Sequence, residues 1–161
     1  MSKMTLELSG DTEVVVTRHF AAPIDEVYRA FMEPELVQQW MLGPDGWTMP
    51  VCVNENRPGG KIRYEWSDGH GNGFYLTGEI LELDPPHRIV HVERMHLPDP
   101  TPDNRIVTTF TPDGDGTKMV ARMSLPDAAT RQAMLATGME HGMEASYVRL
   151  ETTILTEAGP S

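Results

Sequence analysis

Between residues 61 and 125 the apolar positions recur at every second residue, and a chain patterned this way has to bury one side of a sheet. In Lys61-Ile62-Arg63-Tyr64-Glu65-Trp66, Ile62, Tyr64 and Trp66 share one face while the charged residues take the other. Phe74, Leu76, Gly78 and Ile80 continue the buried face beyond the turn-forming segment 67–73. Asp84-Pro85-Pro86 turns the chain into 88–96, Ile106, Thr108 and Phe110 alternate next, and Asp113-Gly114-Asp115-Gly116 leads to Met119, Ala121 and Met123. Pro98 to Asn104, with three prolines and two aspartates, is expected to be a mobile loop.

A one-sided sheet needs a cover, and the flanking segments offer helices. Residues 13–20, with Val14-Val15-Val16, read as a strand. Pro23 opens a helix with Val27 and Phe31 on one face, and Pro34 starts a second carrying Leu36, Val37 and Trp40. Gly43-Pro44-Asp45-Gly46 ends it. Asp127 is the N-cap of a long helix expected to run to about Glu157, whose stripe is Met139, Met143, Tyr147, Leu150 and Ile154. Gly138 and Gly142 weaken that helix, so a close approach or a bend is expected there. The fold class is therefore α+β: a curved antiparallel sheet wrapped around a long C-terminal helix, with two short helices after the first strand and a cavity between sheet and helix. The expected boundaries are an N-terminal extension over 1–12, a single domain over 13–157 and a frayed tail over 158–161.

Several segments resemble a known group. Residues 22–31 (Ala22-Pro23 through Val27-Tyr28 to Ala30-Phe31) resemble the opening of the SRPBCC (START-like, helix-grip) superfamily. Residues 40–50, Arg57-Pro58-Gly59-Gly60, Gly78-Glu79-Ile80, 85–90 and 138–143 are similar to its branch named for the activator of the ninety-kilodalton heat-shock chaperone ATPase. The likeness runs over roughly 13–156. It implies the helix-grip fold and an apolar pocket, in a superfamily that includes lipid and polyketide binders, cyclases and a chaperone-stimulating domain. One position departs: Glu55 stands where an aspartate is common, two places before Arg57, so a turn contact must be made on a longer arm.

The charge balance narrows the partners. The 161 residues hold 13 Lys+Arg against 24 Asp+Glu, a formal net charge of −11, which disfavours nucleic acid and anionic membrane faces. No apolar run reaches the length of a membrane span, and the first residues lack a secretory signal's apolar stretch, so a cytoplasmic protein is expected. Cys52 is the single cysteine, set between Val51 and Val53 as a small buried hydrophobe.

Most chemistry-bearing residues read as structural. Arg57-Pro58-Gly59-Gly60 lacks phosphate-loop spacing and precedes a strand, so its glycines serve the backbone. Ser124, Ser146 and Thr137 have no nucleophile elbow, and Asp99, Asp103, Asp113 and Asp115 lack a calcium-loop register. No metal site and no cofactor are expected, since none of the six histidines (His19, His70, His87, His91, His96, His141) has zinc-motif spacing. His91 and Glu93 share a strand face and are the weak catalytic candidates. Their alternation leaves the face open, with Val90 and Val92 the rival inward set and the solvent side favoured for His91 and Glu93.

The aromatic and methionine set carries the functional reading. Trp40, Tyr64, Trp66, Phe74, Leu76, Phe110, Met119, Met123, Met139, Met143 and Tyr147 are the expected ligand-lining residues. Methionine, 11 times present, suits surfaces that reshape around varied apolar guests, although ordinary core packing explains the same pattern. The expected function is binding of a small hydrophobic or aromatic molecule in the cavity, with Tyr64, Tyr147 and an inward His91 fixing its orientation. The alternatives are a cyclase-like pocket enzyme using His91 and Glu93, and a protein-interaction module of chaperone-activator type. A chaperone or a homodimer partner belongs to the last.

Overall fold

The alternation that starts at Lys61 is realised in a computed structural model that describes residues 3–97 and 99–155. The elements run β1 (Thr5–Ser9), β2 (Glu13–Phe20), α1 (Ile24–Met32), α2 (Pro34–Trp40), β3 (Thr48–Asn54), β4 (Lys61–Ser67), β5 (Gly73–Asp84), β6 (Arg88–His96), β7 (Asn104–Asp113), β8 (Gly116–Ser124), α3 (Ala128–Leu135) and α4 (Met139–Thr153). The strands form one antiparallel sheet of eight in the order β1-β2-β8-β7-β6-β5-β4-β3. The fold is α+β and helix-grip-like, with two short helices after β2 and the C-terminal helix on the sheet.

Cross-strand register defines the two faces. Val14, Met123, Ile106, His91 and Ile80 lie in one row, because each pairs directly with the next. The neighbouring row holds Glu93 opposite both Asn104 and Gly78, then Ile62 and Asn54. Opposed residues point the same way in an antiparallel ladder, so both rows belong to the inner face. That face carries the buried Ile62, Tyr64, Trp66, Leu76, Ile80, Phe110, Met119 and Met123. Each large apolar side chain buried there contributes roughly 1.5–3 kcal/mol. A bulge between Ile80 and Glu82 shifts the alternation, bringing Leu83 to register with Ile89.

The cover differs from the single helix expected over 127–157. Asp127 does cap α3, its carboxylate accepting from the Thr130 amide at 2.7 Å. The helix then stops: Gly138 takes φ 81, a left-handed conformation a continuing helix excludes, and α4 starts afresh at Met139. Two glycines in an amphipathic window signalled a weakness; the break is its full expression. The expected helix end at Glu157 and the tail 158–161 lie outside the described residues. Residues 5–9, within the stretch read as an extension, pair with β2 along their whole length.

The segment expected to be mobile is tied to β6. Pro98 itself lies outside the described residues, but Thr101 donates its amide to the Met95 carbonyl (2.8 Å) and its hydroxyl oxygen accepts from the Met95 amide (3.0 Å). Arg94 pairs with Asp103 at 2.6 Å. At the Arg57-Pro58-Gly59-Gly60 turn, Glu55 accepts the Lys61 amide at 2.9 Å, so the longer acid does make a turn contact. A side chain at Gly60 would run into the backbone oxygens of Glu55 and Arg57, so the glycine is required by close approach.

α4 is held to β2 by a buried cation. Arg18 lies on the inner face with Val14, Val16 and Phe20, its side chain fully buried. It donates to Glu144 at 3.2 Å and to Glu151 at 2.7 Å, both on α4. Its guanidinium carbon also sits 5.2 Å from the Phe20 ring centre and 6.0 Å from that of Tyr147. The loop after α2 is tied down similarly, with the Gly43 amide donating to Ser146 Oγ at 2.8 Å and Arg149 donating to the Trp40 carbonyl at 3.2 Å.

Candidate functional site

The residues expected to line a cavity divide between two regions of the inner face. Trp40, Phe110 and Tyr147 join Phe20, Phe31 and Tyr28 in one network of rings. Tyr147 contacts Phe20 at 5.6 Å and Trp40 at 6.1 Å, and Phe31 contacts Trp40 at 4.9 Å and Phe110 at 5.3 Å. Met119, opposite Phe110 in the sheet, is fully buried beside them. Trp40 further donates its ring N–H to the Ala30 carbonyl at 2.9 Å, which fixes α2 against α1. Trp40, Phe110, Met119 and Tyr147 hold the layers together, and rings in such close edge-on and stacked contact leave little room for a guest.

The other region is more polar. Tyr64, Trp66 and Phe74 form a second ring cluster with Trp47: Trp66 stacks on Phe74 at 4.9 Å and meets Tyr64 edge-on at 6.0 Å. Trp66 donates to the Met41 carbonyl at 2.8 Å, and Leu76 lies opposite Tyr64 on β5. Phe74, Met139 and Met143 pack against the core while keeping partial solvent contact, as do Met95 and Met134. Met123 is buried on the row that holds His91.

His91 and Glu93 face inward, not outward as favoured from sequence. Their register partners Ile80 and Ile106, and Gly78 and Asn104, place them on the helix-facing side. His91 Nε2 and Glu93 Oε1 are 2.8 Å apart, with the side chains 17% and 21% exposed. The misleading signal was Val90, fully buried on the opposite face. β6 stands in the interior of the sheet, flanked by β5 and β7, so apolar residues are sheltered on its outer face too.

Three further polar groups share this region. Asn54 donates its amide to Tyr64 Oη at 3.2 Å. Asn104, beside Glu93 in register, directs its amide nitrogen to Met134 Sδ at 3.9 Å, which brings α3 over the site. Burial pushes the Tyr64 hydroxyl well above the ordinary tyrosine range; nearby Cys52 adds to this, the Asn54 hydrogen bond opposes it and the Glu93 charge adds again. Burial, followed by the Glu35 charge, raises the Cys52 thiol to about 11, so it is a protonated and weakly nucleophilic group. Asn54 and Asn104 escaped the sequence reading. Parity could have found them, since Asn104 falls in phase with Ile106, Thr108 and Phe110, and Asn54 in phase with Cys52.

Two other features do not build a ligand site. An open groove of about 240 Å³ against Gly78 is walled by Lys61, Thr77, Glu79, Val92 and Arg94. It lies on the outer face, where Lys61 pairs with Glu79 at 2.9 Å and both side chains are well exposed, an environment for water rather than an apolar guest. No group of three or more His, Cys, Asp or Glu among the described residues can hold a metal ion. No helix among them is long and apolar enough to cross a membrane.

Comparison with solved structures finds the same architecture repeatedly. A Rhodobacter sphaeroides protein is 27% identical, with 96% of this chain and 99% of that chain covered and a TM-score of 0.89. A Mycobacterium smegmatis protein is 24% identical over 92% and 94%, with a TM-score of 0.82. One from Nitrosomonas europaea is 24% identical over 93% and 98%, with a TM-score of 0.80. No curated protein matches the chain. Residues 21–154 match the family described as "Activator of Hsp90 ATPase homolog 1-like protein", which spans both short helices, the strands from β3 to β8 and α4. With motifs and architecture in agreement, the chain belongs to that family, within the SRPBCC helix-grip superfamily.

Proposed function

We propose that this domain binds a small hydrophobic or aromatic molecule between the inner sheet face and the α3–α4 cover, at the Tyr64–His91 region rather than among the interlocked rings. The observation that carries this is the set of half-buried methionines, Met95, Met134, Met139 and Met143, packed against the core yet open to solvent. Flexible, polarizable side chains at a partly open core boundary can move aside for a guest at little cost. The break at Gly138 supports the same reading, because α3 and α4 are separate covers that need not move together. Affinity would come from apolar burial at about 25 cal/mol per Å², with the polar groups setting orientation.

The test is a fluorescence titration with N-phenylnaphthylamine, a neutral apolar probe, together with native mass spectrometry of the purified protein. Saturable binding is expected, and Met143→Trp, which adds bulk on the helix side of the proposed site, should weaken it at least about tenfold. Absence of saturable binding and of any co-purified small molecule would overturn the proposal. Probe binding that ignores Met143→Trp would move the site elsewhere.

One observation favours a second reading, acid–base catalysis on a bound molecule. An imidazole held by a carboxylate at 2.8 Å on a largely buried sheet face has the geometry of a general base and its orienting partner. His91→Ala should then lower turnover of the bound guest far more than it lowers the guest's affinity. For a protein-interaction role the surface gives little support: the exposed large apolar side chains Leu8, Val53, Leu81 and Leu97 sit on separate segments.

A further inference from the structure

The inner-face polar groups have a feature their hydrogen bonds do not use up. Asn54 Oδ1, His91 Nδ1 and Asn104 Oδ1 are each sealed from solvent and find no hydrogen-bond partner among the described residues. They come from three strands, β3, β6 and β7, and Asn54 and Asn104 mark the ends of the row through Ile62, Gly78 and Glu93. A buried polar atom left without a partner is costly, and native proteins supply one from protein, water or ligand.

The atoms also share a chemical sense. Both amide oxygens are acceptors only. The Asn54 nitrogen is engaged by Tyr64, and the Asn104 nitrogen points to Met134. For His91 the sense follows from its neighbour: an ionised carboxylate accepts and cannot donate, so Nε2 carries the proton that Glu93 receives. In the neutral ring, Nδ1 then has only a lone pair to offer. Gly78, in the middle of the row, adds no side chain between Ile62 and Glu93, and its bare backbone is enforced because a side chain would meet the Val92 carbonyl. Glu93 within the site, and the net −11 of the whole chain, act against an anionic guest.

We infer that the molecule taken at this site is an uncharged or cationic apolar ring system bearing at least two O–H or N–H donors, received by His91 and Asn104. These two are diagonal neighbours on the adjacent strands β6 and β7, whereas Asn54 lies four strands from Asn104, too far to share so small a guest. The inference rests on the binding reading above and adds the chemistry of recognition to it. An apolar guest without donors would complete the packing but leave the acceptors stranded, so the site discriminates by what it leaves unpaired.

Matched probes separate the two ideas. Dihydroxynaphthalene and dimethoxynaphthalene have the same ring and the same oxygen positions, but only the first donates. Calorimetric titration of the full chain should give at least about tenfold tighter binding for the dihydroxy compound. Asn104→Leu and His91→Leu should each weaken the dihydroxy probe at least about fivefold and leave the dimethoxy probe unchanged or improved. If either variant does not fold, the probe comparison on the unmodified chain decides alone. Equal binding of both probes, or preference for dimethoxynaphthalene, overturns the donor inference while the cavity stands. If neither binds, and N-phenylnaphthylamine does not bind either, the cavity reading fails and takes this inference with it.

Discussion

Removing the Arg18 guanidinium is the sharpest test of how α4 is held on the sheet. Arg18→Met keeps most of the buried stem and its volume, so the loss isolates the charged head. That head makes two ion pairs, 3.2 Å to Glu144 and 2.7 Å to Glu151, plus a hydrogen bond to the His19 carbonyl at 2.9 Å. Charge-assisted hydrogen bonds are worth about 1.5–3 kcal/mol each, and breaking a buried pair from one side costs about 3–5 kcal/mol. The carboxylates left behind are only 20% and 15% exposed, so water recovers little of the loss. The expected destabilisation is about 4 kcal/mol, a large share of the roughly 5–15 kcal/mol that a domain possesses. In a chain of this length that lowers Tm by about 8–16 °C. Urea denaturation followed by tryptophan fluorescence measures it directly. The triple variant R18M/E144Q/E151Q should recover at least about half of the deficit, because it also removes the stranded charges. A single variant within about 1 kcal/mol of the unmodified protein, or a triple variant no better than the single one, would refute the reasoning.

Two more outcomes follow from features of the same sheet. Stability should fall as pH rises from about 9: Cys52, Tyr64 and Tyr147 hold their protons above their ordinary values of 9.0, 10.0 and 10.0, so the unfolded chain ionises first. Each such group contributes at most about 1.4 kcal/mol of loss per pH unit until its folded form also ionises, and a pH series of urea midpoints that stays flat between 8 and about 10.5 would contradict the burial. Gly60→Ala should cost roughly 1–3 kcal/mol through collision with the Glu55 and Arg57 carbonyls, whereas Gly142→Ala, whose nearest neighbour is the Pro44 ring at 3.9 Å, should be neutral or stabilising in thermal melts.

Alternation made the sheet legible, because Ile62, Tyr64 and Trp66 each occupy the face their spacing assigns. Capping made the start of α3 legible through Asp127. Where two structural options share one local pattern, sequence could not choose. A glycine inside a helical stripe fits a bend or a full stop, and only the packing of α3 and α4 on the sheet decides for the stop at Gly138. For β6, whose valines are sheltered on the outer face, alternation lost its contrast, and the bulge after Ile80 in its neighbour removed the phase reference as well. Arg18 was passed over because an arginine amid valines looks like the wet side of a strand. Its carboxylate partners lie more than a hundred residues away, at 144 and 151.

The sheet order also sets the sequence of events by which the chain can assemble. From β3 to β8 every strand pairs with the one that follows it, so this meander can zip from short loops. β2 is different: its residues 13–20 lie against 117–124 of β8, and nothing shorter than the whole meander brings them together. Closing that seam also positions Arg18 for α4 and delivers α1 and α2 to the inner face. One late contact between the chain's early and final thirds thus carries the largest single loop-closure cost in the sheet. Folding speed should therefore respond to changes at the β2–β8 seam far more than to changes in the hairpins, with the inner face covered only when that seam shuts.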